Sequence, residues 1–321
     1  METGLQVLLL AAGFIFLVKG ADWFVDGAAG LAEKFKIPQL VIGLTIVAMG
    51  TSMPEAAVSI SAAAKGNADI TVGNIMGSNI LNILIILGLS AAIMPLAVES
   101  STIRRDLPFL TLVTALIFFQ GLDGTVSLLD GIMQLSLFAV YLLNLFLAAR
   151  KTPKPQGSLS VASGKDDTAS PSRGEKPWPF LLFLTVVGLF LIVAGSNLTV
   201  EAASCLARLF GISERFIGLT IVALGTSLPE LFTSVTAARK GNADIAIGNI
   251  VGSNIFNLLF VIGVSALVTP VPYATAFLSD NLIAGAAALL LLVCSLRKQR
   301  LCRRHGIIML LGYTVYFITL L

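Results

Sequence analysis

The sequence predicts an all-α membrane protein in which ten transmembrane helices form two inverted five-helix repeats. Three observations carry that reading. The 321 residues are 56% hydrophobic and 12% charged, with a mean hydropathy of +0.92, which is far too apolar for a water-soluble surface. Long apolar runs recur along the chain, and a bilayer core needs about 20 such residues per helix. A 40-residue segment occurs twice and is identical at 28 positions, which duplication explains most economically. The runs are continuous and do not alternate over ten-residue strands, so helices are expected and a β-barrel is not.

The runs fall at residues 5–27, 39–64, 70–96, 106–121, 127–149, 179–204, 215–238, 245–270, 279–296 and 306–321. No Lys or Arg precedes Lys19 and no small-residue cleavage site follows, so the first run is expected to be a retained helix and no secreted form is expected. Residues 150–178 break the pattern: Pro153, Pro155, Pro171 and Pro177 stand among Ser, Gly, Lys and Asp with almost no large apolar side chain. This composition reads as a flexible linker. It divides the chain into a first repeat at 1–149 and a second at 179–321. Cys205, Cys294 and Cys302 lack metal-ligand spacing and suggest neither a disulfide framework nor a zinc site.

Residues 43–82 align without a gap to 218–257, an offset of 218 − 43 = 175. The same offset pairs Gly20 with Gly195, Asp22 with Asn197, Asp26 with Glu201, Gly131 with Gly306 and Tyr141 with Tyr316, so the whole half was copied. An odd number of spans per copy puts the copies in opposite orientations, the arrangement of many secondary transporters. The basic residues test this independently. With the N-terminus outside, the inside loops hold 17: Lys34 and Lys36; Arg104 and Arg105; Arg150, Lys151, Lys154, Lys165, Arg173 and Lys176; Arg239 and Lys240; and Arg297, Lys298, Arg300, Arg303 and Arg304. The outside loops hold three, Lys65, Arg208 and Arg215. The imbalance predicts that both termini lie outside and the linker in the cytoplasm, and the expected location is the inner membrane.

Each copy places a Gly-Thr-Ser-x-Pro-Glu run, 50–55 and 225–230, in the middle of an apolar helix. A charged group there costs about 2.5 to 3.5 kcal/mol, so Glu55 and Glu230 need a partner or a proton. Within the copies, only Lys65, Arg239 and Lys240 are basic, and they lie at helix ends, which points to a bound cation as the partner. Pro54 and Pro229 have no N–H to give the carbonyls of Gly50 and Gly225, so bent helices with free carbonyls are expected. With the hydroxyls of Thr51, Ser52, Thr226 and Ser227, these make a nest of hard oxygen donors. Calcium takes six to eight such oxygens at about 2.3 to 2.6 Å, whereas transition metals prefer His or Cys, and none is present there. The run Gly-Asn-Ile-x-Gly-Ser-Asn-Ile-x-Asn puts Ser78 and Asn82, and likewise Ser253 and Asn257, one turn apart on a helix face where they can line the same site. Gly73 and Gly77, with Gly248 and Gly252, have the spacing that lets membrane helices approach closely.

On these two motifs, each present twice, the chain resembles the calcium/cation antiporter superfamily, sodium/calcium exchangers in particular, over essentially its whole length. The resemblance implies ten helices and four cation sites in a diamond near the midplane. Carried over by position, it implies a calcium site at Glu55, Glu230, Thr51 and Thr226. It implies flanking sodium sites at the carbonyls of Ala48 and Ala223, completed by Ser52, Ser78, Ser227 and Ser253. Archaeal exchangers have Asn at one central position and Asp at its repeat mate, whereas this chain has Asn82 and Asn257, which leaves the middle site without a carboxylate. No cofactor is expected, only calcium and sodium as transported ligands, with the bilayer as partner, no nucleic acid and a functional monomer.

A calcium/proton exchanger and a passive cation channel stay open as alternatives. A hydrolase using Ser52 or Ser227 would need a base, and neither serine has a nearby His or intramembrane Lys. Asp22, Asp26 and Glu201 are expected at solvated helix ends, Asp69 and Asp244 as caps, and His305 as topological charge. Lys19 is expected to reach the interface or to pair with Asp22 or Asp26.

Overall fold

The computed structural model describes residues 2–151, 176–211, 223–296 and 298–320. Most of the linker reading, at 152–175, and the start of the seventh run with Arg215 lie outside them. The described chain is an all-α membrane protein. Its helices are α1 (Glu2–Phe35), α2 (Gln39–Thr51), α3 (Met53–Ala64), α4 (Ile70–Ile93), α5 (Thr102–Asp123) and α6 (Leu128–Lys151). They continue as α7 (Trp178–Leu209), α8 (Ala223–Thr226), α9 (Leu228–Arg239), α10 (Ala243–Val268), α11 (Thr275–Leu296) and α12 (Arg303–Leu320).

Among the described residues, seven helices are long and apolar enough to cross a bilayer, or eight when α2 and α3 count as one span bent by 50°. The sequence reading had ten runs. The difference has two physical sources: the stretch before α8 is outside the described residues, and α12 spends its first turn on Arg303, Arg304 and His305. The helix α1 outruns its apolar run because Glu33 and Lys34 interrupt hydropathy without interrupting helical hydrogen bonding. At 34 residues it is about 51 Å long, well beyond a bilayer core of about 30 Å.

The breaks before α3 and α9 fall where proline requires them. Pro54 and Pro229 occupy the first turn of α3 and α9, the one place where a missing N–H costs nothing. Ser52 and Ser227, just before, adopt matching backbone angles, φ −82°, ψ 5° and φ −93°, ψ 5°. The carbonyls freed by proline are nevertheless used again. Ser196 Oγ donates to the Gly225 carbonyl at 2.7 Å, and a backbone N–H beyond α2 turns back to that of Gly50.

The helices α4 and α10, which carry the Gly-Asn-Ile motifs, are innermost: 78% and 83% of their apolar windows are buried, against 22% for α1. Each widens into a π-helical stretch that starts at its last motif asparagine, Asn82–Leu87 in one and Asn257–Val261 in the other. Such stretches recur at functional sites. Helices α1 and α7 cross antiparallel along a glycine seam, with Gly13 against Gly195, Gly20 against Gly188 and Gly27 against Leu181 and Thr185.

Two short ribbons tie the ends of the bundle together. Leu96–Ala97 (β1) pairs with Arg300–Leu301 (β4), and Thr125–Val126 (β2) pairs with Val271–Pro272 (β3). The repeat offset converts Leu96↔Leu301 into Val271↔Val126, so each ribbon joins the two halves and is the image of the other. Cys205, Cys294 and Cys302 are free thiols.

Candidate cation-binding site

Glu55 and Glu230 are both fully buried, each one turn past the break that starts α3 or α9. The two halves exchange hydrogen bonds here. Ser52 Oγ donates to Glu230 Oε1 at 2.8 Å, and Ser227 Oγ donates to Glu55 Oε1 at 3.1 Å. Ser227 Oγ also lies 3.5 Å from Ser78 Oγ, which brings α4 to the same point. Each acid thus accepts from the serine one turn before the other, and no basic side chain pairs with either among the described residues.

Further hydrogen bonds fix the helices that carry these acids. Thr51 Oγ1 donates toward the Val47 and Ala48 carbonyls at 3.1 and 3.3 Å and lies 3.0 Å from Asn249 Oδ1. The Ala48 carbonyl also accepts from Ser253 Oγ at 3.3 Å. Asn74 Nδ2 donates to Ser59 Oγ and the Glu55 carbonyl at 2.9 and 3.3 Å. Its repeat mate Asn249 does the same to Ser234 Oγ and the Glu230 carbonyl at 2.9 and 3.4 Å.

Four asparagines cross between α4 and α10. Asn82 Nδ2 donates to Asn254 Oδ1 at 2.9 Å and Asn257 Nδ2 to Asn79 Oδ1 at 3.2 Å. Asn79 and Asn254 also donate to each other's carbonyls at 3.3 and 3.1 Å. Asn254→Leu removes an acceptor and a donor and leaves the buried Asn82 amide unpaired. A loss of about 2 kcal/mol of folding stability is expected, read as a lower midpoint in thermal denaturation of the detergent-solubilised protein.

With those bonds made, one oxygen on each central residue stays over. Glu55 Oε2, Glu230 Oε2, Asn82 Oδ1 and Asn257 Oδ1 are buried and have no hydrogen-bond partner among the described residues. They form two repeat-related pairs, 55 with 230 and 82 with 257, and all are acceptors. The packing also crosses them: α9 lies against the π-helical stretch that starts at Asn82, and α3 against that starting at Asn257. Buried acceptors without donors are costly, and acceptor oxygens alone suit a hard cation such as calcium or sodium.

The structure thus brings Glu55, Glu230, Ser52, Ser227, Ser78, Thr51, Ser253, Ala48, Asn82 and Asn257 together, all buried. Thr226 is only half-buried and lines a side cavity of about 490 Å³ between α3 and α7, with Asn197 and Glu201 on its wall. Ala223 opens α8. The close approach expected of the motif glycines holds at Gly248 and Gly252, which face Gly43, Leu44 and Ala48. Gly73 meets only the ring of Phe277. Asn74, Asn79, Asn249 and Asn254 were not singled out from sequence, although all four are identical between the copies, a signal that could have found them.

The sodium/calcium exchanger protein family matches residues 5–147 and 180–321, both halves and not the linker between them. The inner membrane protein YrbG of Escherichia coli is 39% identical over 97% of this chain and 95% of its own. The sodium/calcium exchanger MaX1 of Methanosarcina acetivorans is 33% identical over 98% and 97%. A solved structure of the sodium-calcium exchanger NCX_Mj, soaked with zero sodium and calcium, superposes with a TM-score of 0.84 at 32% identity and covers 99% of each chain. With a match that takes in both repeats, and with relatives this similar end to end, the chain belongs to the sodium/calcium exchanger family.

Proposed function

We propose that the protein exchanges calcium for sodium across the inner membrane by alternating access, using ten transmembrane helices in two inverted repeats. The observation that carries this reading is the set of four buried acceptor oxygens, two of them carboxylate, that find no donor among the described residues. In the proposal, Glu55 and Glu230 with Thr51 and Thr226 hold calcium. The carbonyls of Ala48 and Ala223 and the hydroxyls of Ser52, Ser78, Ser227 and Ser253 serve sodium, while Asn82 and Asn257 line the centre. Two carboxylates are balanced equally by one calcium or by two monovalent cations, so the ions compete for one set of oxygens.

Both termini face outside, the linker lies in the cytoplasm, and a monomer suffices because the two halves complete the site between them. Sodium is favoured over the proton as counter-ion because the hydroxyls and carbonyls around the acids are neutral donors of the kind sodium takes. The names of MaX1 and NCX_Mj point the same way.

The test is calcium uptake into proteoliposomes with an outward sodium gradient, compared with an outward proton gradient at equal sodium. Uptake driven by sodium and collapsed by a sodium ionophore is expected. Uptake that follows only the proton gradient would move the reading to a calcium/proton exchanger, and flux without any counter-ion gradient to a channel.

A further inference from the structure

We propose that Lys240, with Asp22 and Asp26, is the gate that closes one face of the ion site, and that Lys65 with Glu201 and Asn197 is its counterpart in the opposite state. The proposal rests on the alternating-access reading and adds the residues that hold each state. Lys240 Nζ lies 2.6 Å from Asp22 Oδ1 and 2.9 Å from Asp26 Oδ1, and it donates to the Asp22 carbonyl at 2.9 Å. These bonds tie the end of α9, which carries Glu230, to α1 in the other half.

Lys65 is the repeat mate of Lys240, and Asn197 and Glu201 are the mates of Asp22 and Asp26. The two lysines stand in the same local frame. Each follows the last turn of its helix, at φ −90°, ψ 3° and φ −82°, ψ 2°, and each precedes a left-handed glycine, Gly66 or Gly241. Their surroundings differ. Lys240 is mostly covered, whereas Lys65 and Glu201 are exposed and make no ion pair among the described residues.

The helices around them show the same asymmetry. Along α9, α1 packs closely: the rings of Phe14 and Phe232 meet at a tilt with 6.2 Å between centroids, and Thr233 is fully buried. Along α3 the equivalent positions Ala57 and Val58 are exposed, and they line the 490 Å³ cavity whose opposite wall carries Asn197 and Glu201. One face is shut by an ion pair and packed helices, and its image stands open. Exchanging the roles of the two repeats shuts the open face by bringing Lys65 to Glu201. The shut face has two carboxylates and the other only one, so the inner pair holds this state more strongly.

The test uses the full chain with its three cysteines replaced and Thr233→Cys as reporter, reconstituted in vesicles and treated with a cationic methanethiosulfonate. Position 233 is fully buried on the helix against which α1 packs, so the proposal has it reached when α1 leaves α9. Lys240→Gln is expected to raise its labelling rate about fivefold, the scale of one ion pair. Asp22→Asn with Asp26→Asn should raise it alike, and Lys65→Gln should not. In the same background, a disulfide between Lys65→Cys and Glu201→Cys should form faster once Lys240→Gln is added. Equal labelling with and without Lys240→Gln, or the same rise with Lys65→Gln, overturns the proposal. Calcium uptake by the parent protein is measured separately, so failed exchange would count against the antiport reading and leave the labelling result to judge the gate.

Discussion

Replacing Glu55 or Glu230 by glutamine is expected to lower sodium-dependent calcium uptake about 100-fold in proteoliposomes, which corresponds to about 3 kcal/mol for removing one charge from a buried pair of opposite charges. Glutamine keeps the volume and can still accept from Ser227 or Ser52, so the bonds between the halves survive and the variant folds. Removing a buried negative charge that no basic side chain balances among the described residues leaves the ion-free protein as stable as before, or more so. What disappears is the stabilisation that calcium supplies: about 2.7 kcal/mol when the ion is at a hundred times its dissociation constant in the parent protein, and little in either variant. A thermal melt with and without calcium therefore separates loss of the ion from loss of the fold. Full calcium stabilisation in either variant would mean that the carboxylate is a helix-packing group only.

Gly252→Val is expected to cost about 3 kcal/mol or to prevent folding, because it overpacks the contact on which the site is built. A Cβ at this position would lie 2.6 Å from the Leu44 carbonyl oxygen and 2.7 Å from Ala48 Cβ. Neither can yield alone, since Gly43 presses on Gly248 one turn away, and Ser253 donates to the Ala48 carbonyl. Relief has to come from α2 moving off α10, which carries Thr51 and Ser52 away from Asn249 and Glu230. Gly252→Ala should fold but weaken calcium binding about tenfold, a shift of about 1.4 kcal/mol. Wild-type affinity and melting in the alanine variant would contradict this placement of the two helices.

Much of this was legible in the sequence because the chain states it twice. The duplicated Gly-Thr-Ser-x-Pro-Glu run located the acids, and the missing N–H of Pro54 and Pro229 placed the breaks correctly. What single-chain reasoning missed were partners supplied by the other half. Asp22 and Asp26 were expected at a solvated end or beside Lys19, one and two turns away. They bond to Lys240, more than two hundred positions along the chain, a pairing that no helical spacing displays. The Gly225 carbonyl was expected to stay free, and Ser196 of α7 takes it up. Asn79 and Asn254 read as ordinary polar members of a motif, and their bracing role shows only once α4 and α10 cross. The offset of 175 names repeat mates, but not which residue of one copy meets which residue of the other.

The most direct test is diffraction from crystals soaked in calcium, with the ion located by its anomalous signal. The account predicts a peak shared by Glu55 Oε2 and Glu230 Oε2 at about 2.3 to 2.6 Å, lost again when sodium replaces calcium. A calcium peak that neither oxygen reaches, or two carboxyl groups that stay unligated at saturating calcium, would contradict it.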